Sequence, residues 1–129
     1  MKKVEIKNFL IINCTGSNDS IGLKVNSNFF TQKIQTKTND NFVNTLLDFL
    51  NTKKVKLDKD FTILVNVGPG SFSTIRTSIA VAKGIQISNK TKIYGYENNL
   101  LPEFNLKNVQ FLIKKDLVEN KLIKPVYIS

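Results

Sequence analysis

Val65-Asn66-Val67-Gly68-Pro69-Gly70-Ser71-Phe72-Ser73-Thr74-Ile75-Arg76 joins an apolar run, Phe61 to Val67, to a helix-like pattern that continues to about Ile87. Val, Ile and Phe suit a buried strand. Gly68 and Gly70 open backbone angles closed to other residues, and Pro69 stiffens the turn between them. Ser71 or Ser73 can cap the helix that follows by accepting a bond from a free backbone N–H. Phe72, Ile75, Ile79 and Ala82 recur at three- and four-residue steps and predict one apolar helix face. Ala80 and Gly84 lie four apart, where another backbone can approach closely. Gly84, Asn89 or the stretch between them is expected to stop the helix.

A glycine turn that opens a helix presents backbone N–H groups to an anion. The details here favour a tight structural turn over a phosphate cradle. A Walker loop needs Gly-Lys-Ser/Thr, whereas Gly70 is followed by Ser71-Phe72-Ser73. The dinucleotide pattern needs a third glycine where Ser73 stands. Pro69 also removes one donor.

The 129 residues are 41% hydrophobic and carry a net charge of +9. One domain with a small appendage is expected. Lys2 and Lys3 are followed by Glu5 and Lys7, and the apolar run Phe9 to Ile12 is short, so neither a signal peptide nor a membrane span is expected. Cys14, alone in the chain, has no partner for an internal disulfide, which suits a reducing cytoplasm. The positive charge invites nucleic acid. Yet it is carried by lysine, with Arg76 the lone arginine, and asparagine is abundant. That pattern fits a codon bias, and it leaves little arginine for bidentate contacts to bases or phosphates. Weak electrostatic attraction is the stronger expectation. Histidine is absent, which removes the usual general base, the Ser-His and Cys-His pairs and histidine metal sites. Asp58 and Asp60 flank Lys59 before the central strand and read as solvated turn residues.

Working outward, Phe9 to Cys14 reads as a buried strand. Ile21, Leu23 and Val25 alternate as a second, and Asn26-Ser27-Asn28 turns into a third, Phe29 to Thr36. Asn39 or Asp40 can cap a helix, about Asp40 to Asn51, whose stripe is Phe42, Val43, Leu46, Leu47 and Leu50. Phe49 lies off the centre of that stripe. Thr91 to Tyr96 reads as a fifth strand. The order β-β-β-α-β-α-β is a meander followed by crossover units, and strands separated by helices are expected to pair in parallel. That is the layout of a ribonuclease H-like half-domain. Beyond Glu97, Val109, Phe111 and Ile113 alternate as a strand would. Leu106, Val109, Ile113 and Leu117 fit a helix equally well, and a short helix from about Lys107 to Asn120 is the preferred reading. Pro125 ends it.

Gly68-Pro69-Gly70-Ser71-Phe72, followed by Ser73-Thr74-Ile75-Arg76 and then Ala82-Lys83-Gly84, resembles the signature of the TsaB (YeaZ) family, Gly-Pro-Gly-Ser-Phe-Thr-Gly-Leu-Arg with Ala-Lys-Gly further on. Ile12-Asn13-Cys14-Thr15 is similar to the family's Ile-Asp-Thr-Ser, and Lys124-Pro125-Val126-Tyr127-Ile128 to its Pro-x-Tyr-Leu-Arg terminus. The resemblance covers about Phe9 to Glu97 and those last residues. It implies an α/β fold of the actin-like ATPase (ASKHA) type with a five-stranded mixed sheet. It also implies a cytoplasmic, non-catalytic subunit of the machinery that makes N6-threonylcarbamoyladenosine (t6A) in tRNAs that read ANN codons.

In that family the partner is a paralogue, TsaD, which carries the metal and the active site, and an ATPase, TsaE, joins them. ATP and metal are therefore expected on the partners, with no cofactor on this chain and tRNA met only indirectly. Asn13 departs from the family's aspartate, which suits a scaffold. The second departure is length. Residues 1–97 correspond to the first domain, and 98–129 are a short remnant packing on it rather than a second domain. The family's helices of this domain pack against the paralogue or a second copy. By that resemblance the turn residues are Gly68, Pro69, Gly70, Ser71, Phe72 and Arg76, and the partner-facing residues are Phe49, Arg76, Ala80, Ala82, Lys83 and Gly84. A small nucleotide- or phosphate-binding protein using the Gly68–Ser73 turn, and a homodimer working outside tRNA modification, are the alternatives.

Overall fold

β4, Phe61–Asn66, is buried along its whole length, as expected of a strand with neighbours on both edges and cover on both faces. The structure is a computed structural model and describes residues 6–34, 39–115 and 118. Around β4 the chain lays down β1 (Asn8–Asn13), β2 (Ser20–Val25), β3 (Asn28–Lys33), α1 (Asn39–Thr52), α2 (Phe72–Asn89), β5 (Lys92–Tyr96), a single 3-10 turn (Asn98–Leu100) and α3 (Leu106–Lys114). The sheet order is β3-β2-β1-β4-β5. β1–β2 and β2–β3 are antiparallel, while β1–β4 and β4–β5 are parallel. The meander and both parallel pairings therefore form as the element order predicts. The end of the third strand, Gln35 and Thr36, and the closing Lys124–Ile128 lie outside the described residues.

Alternation sorts the strand side chains into two cores. Leu10, Ile12, Ile21, Leu23, Ile63, Val65 and Ile93 point to one face and meet α1 and α2. Phe9, Ile11, Leu64, Tyr94 and Tyr96 point to the other, where Leu101, Val109 and Leu112 cover them. Helices thus lie on both faces of the sheet. The segment after β5 resolves the strand-or-helix ambiguity as helix, because only the helical spacing lets Val109 and Leu112 face the sheet together. Asn105 caps α3 by accepting from the Asn108 N–H at 2.8 Å. Residues 116–117 and 119–120 of the expected longer helix lie outside the described set.

α2 runs past Gly84 and stops at Asn89, where Lys90 takes left-handed angles and its N–H closes on the Gln86 carbonyl. Ser71 occupies the N-cap position, but its hydroxyl makes no cap bond. Its carbonyl instead receives the Ile75 N–H at 2.9 Å.

Candidate functional site

β1 and β4 run side by side, yet the chain leaves their carboxyl ends in opposite directions, β1 into the β2 hairpin and β4 through α2 to β5. In open α/β sheets such a switch point is where ligands bind. Here the two loops at that point close on each other. The Ser71 N–H donates to the Thr15 carbonyl at 2.8 Å. A Cβ on Gly70 would sit 2.7 Å from Thr15 Cβ, and one on Gly16 would sit 2.8 Å from Ser71 Cβ. Both glycines are therefore required for the approach. Gly68 holds φ at 103°, and the Gly68–Pro69 peptide is cis. The Gly68 carbonyl accepts from the Asn98 N–H at 2.7 Å.

The β1–β2 loop carries an anion of its own. The buried carboxylate of Asp19 accepts from the N–H groups of Thr15, Gly16 and Ser17 at 2.8 to 3.1 Å. A phosphate at this loop would compete for donors that Asp19 already holds, with Ser71 engaged by Thr15. Beneath the loops the Tyr96 hydroxyl donates to Asn13 Oδ1 at 2.7 Å. Asn66 Nδ2 donates to Asn13 Oδ1 at 2.8 Å and to Asn98 Oδ1 at 2.9 Å, and Asn66 Oδ1 accepts from the Gly68 N–H. Burial holds the Tyr96 phenol well above its ordinary pKa. Burial first, and the negative charge of Asp19 second, push the Cys14 thiol up as well. Both groups stay neutral, so this cluster orders the loops and holds no ready nucleophile. Among the described residues no three of His, Cys, Asp and Glu come together to hold a metal.

Asp19, Asn66, Tyr96 and Asn98 were not among the residues singled out from sequence. The available signal was Asn66, a polar residue inside the apolar run Phe61 to Val67 and fully buried in the fold. Such a group needs partners, and partners imply a network.

The outer surface of the helix layer is the second feature. On α2, Arg76, Ala80, Lys83 and Gly84 are exposed, and no atom lies within 4 Å of where a Gly84 Cβ would stand. Phe72 is 54% exposed rather than core, with the Arg76 guanidinium carbon 5.2 Å from its ring centroid. It begins the same outward row, four residues before Arg76 and eight before Ala80. Two expected partner-facing residues lie inside the fold of the isolated chain. Phe49 is 3% exposed and Ala82 is fully buried, both in the core between helices and sheet. Their places outside are taken by residues assigned to the stripe, Val43 and Leu47, which are 41% and 52% exposed. Phe42, Leu46, Phe49 and Leu50 fill the inward arc of α1, and Val43 and Leu47 fall one step beyond it.

No family model matches the chain, and no curated protein matches it. Solved structures do. YeaZ from Pseudomonas aeruginosa superposes with a TM-score of 0.65 at 16% identity, over 86% of this chain and 50% of that one. This is the YeaZ fold. A second structure, an uncharacterized protein with similarity to peptidase YeaZ from Pseudomonas aeruginosa, gives 0.65 at 17% identity over 74% of this chain and 45% of that one. The chain spans about half the length of these YeaZ-like structures. At such identities the likeness is one of fold. Among the described residues no helix is long and apolar enough to cross a membrane.

Proposed function

We propose that this chain belongs to the TsaB (YeaZ) family and acts as a non-catalytic scaffold for a TsaD-like paralogue in the t6A modification of tRNA. The observation that carries the reading is the outer surface of the helix layer. Its α2 row is Phe72, Arg76, Ala80 and Gly84, and α1 adds Val43 and Leu47. Small residues on an exposed helix let a partner backbone approach, and apolar neighbours supply the burial that holds it. The YeaZ fold and the Gly68–Arg76 motif support a TsaD-like partner. Metal, ATP and catalysis reside on the TsaD-like and TsaE-like subunits. The phosphate-binding alternative has less support, because within that turn the Ser71 N–H is held by the Thr15 carbonyl, the Gly68 N–H by Asn66 Oδ1, and Pro69 offers no donor.

The test is size-exclusion chromatography with light scattering on the chain alone, and mixed with the TsaD-like protein of the same organism. A stoichiometric complex that Ala80→Trp abolishes is the expected result. A homodimer indifferent to the paralogue, or a complex untouched by the substitution, overturns it.

A further inference from the structure

Charge is not spread evenly over this fold. The three loops at the carboxyl ends of β1, β4 and β5, residues 14–19, 67–71 and 97–105, contain Asp19, Glu97 and Glu103 and no lysine or arginine. The opposite end is basic. Parallel pairing aligns the amino ends of β1, β4 and β5, with Asn8 opposite Phe61 and Thr62 opposite Lys92. There Lys7, Lys59 and Lys92, from three separate segments, line one open cleft of about 300 Å³ with Asn8, Asp60 and Thr62. Lys54, Lys56 and Lys90 stand exposed in the loops that flank it. The two loops are tied together by Asn89 Nδ2, which donates to the Leu57 carbonyl at 3.0 Å. Lys24 closes the β1 side, its ammonium donating to the Lys7 and Asn26 carbonyls.

A lysine-rich composition explains many lysines, but not the convergence of Lys7, Lys59 and Lys92 from three segments on one cleft. Two aspartates, Asp58 and Asp60, share this end, and among the described residues Lys7, Lys59 and Lys92 are held in no ion pair. Six cations from three segments exceed what one small anion can satisfy. Lysines without arginine make point-charge contacts that do not depend on sequence.

We propose that the amino-terminal end of the parallel strands is a docking surface for the phosphodiester backbone of a nucleic acid, centred on the Lys7–Lys59–Lys92 cleft. This surface lies at an end of the sheet, not on the outer helix face, so the proposal stands apart from the docking reading above and is tested on the chain alone.

The probe is a fluorescein-labelled single-stranded RNA of mixed sequence, followed by anisotropy across a salt series. The comparison is Lys7→Gln/Lys59→Gln/Lys92→Gln against Lys33→Gln/Lys107→Gln/Lys114→Gln, which removes the same charge from exposed sites elsewhere. The wild-type chain binds at low salt. The cleft triple weakens binding about tenfold or more and lowers the log–log salt slope by about 2, whereas the control triple changes it about twofold or less. Equal loss in both triples means bulk attraction and overturns the site. So does absent RNA binding at low salt, or binding to phosphatidylserine vesicles in its place. All six lysines are exposed, so circular dichroism of each triple matching the wild type is the check on folding.

Discussion

The inward side of α2 and its outward side are built from the same eighteen residues and are finished to different degrees. Inward, Ile75, Ile79 and Ala82 press on the sheet, and the turn that launches the helix is locked against the β1–β2 loop. Outward, Phe72, Arg76, Ala80 and Gly84 are exposed, and among the described residues nothing lies within 4 Å of a Cβ placed on Gly84. The inward side obtains its complement from this chain, so its residues carry stability. The outward side is exposed among the described residues, so substitutions there are expected to act on association. If this division is right, substitutions on the two sides must separate in what they change.

The largest effect is expected at Ile75, which is fully buried between α2 and the sheet. Ile75→Ala should cost about 2–5 kcal/mol through lost transfer energy and the cavity left behind. Urea unfolding should show a lower midpoint at unchanged slope. A loss below about 1 kcal/mol would mean that the helix layer is not held by this face, and the comparison would fail at its base.

Next comes Asp19. Its carboxylate satisfies three backbone donors and fixes the loop against which Ser71 packs. Because Gly16 and Ser17 are exposed, water can replace part of what is lost. Asp19→Ala should therefore cost about 1–2 kcal/mol, and Asp19→Asn, which keeps one acceptor oxygen, less. Thermal unfolding of the pair checks the order. Equal stability of Asp19→Ala and wild type would show that the two loops hold each other without the carboxylate.

How much of this was legible beforehand follows from the range of the interactions involved. The sheet was, because period-two alternation and the strand–turn–helix joint are local signals, and parallel pairing follows from the crossover through a helix. The joint itself marked the turn at the switch point. The polar cluster was not legible. Asn13 meets Asn66 across 53 positions and Tyr96 across 83, and no window along the chain contains both ends. Phe49 and Leu47 exchanged roles for a different reason. Both border the same apolar arc of α1, and which border is covered depends on where α2 and the loop carrying Leu57 come to rest. Phe72 was misplaced because it opens α2, where the row it begins is exposed. Composition located the positive charge in the chain, but only the shared amino ends of β1, β4 and β5 gather Lys7, Lys59 and Lys92 into one cleft.

The smallest expected effect is the sharpest, because its sign differs from the others. Gly84 lies inside α2, and nothing stands within 4 Å of a Cβ placed there. Glycine in an exposed helix interior is poorer than alanine by about 0.5–1 kcal/mol, chiefly because the unfolded chain has more conformations to lose. Gly84→Ala should therefore raise the stability of the isolated chain by that amount. If a partner helix approaches at Gly84, the same methyl group should weaken the complex with the TsaD-like protein. Thermal unfolding of the chain alone and titration calorimetry of the mixture read the two halves. A gain in stability with undiminished association would place the contact elsewhere on α2. A loss of stability would mean that Gly84 is already covered in the free chain, and that the outward side of this helix is as finished as the inward one.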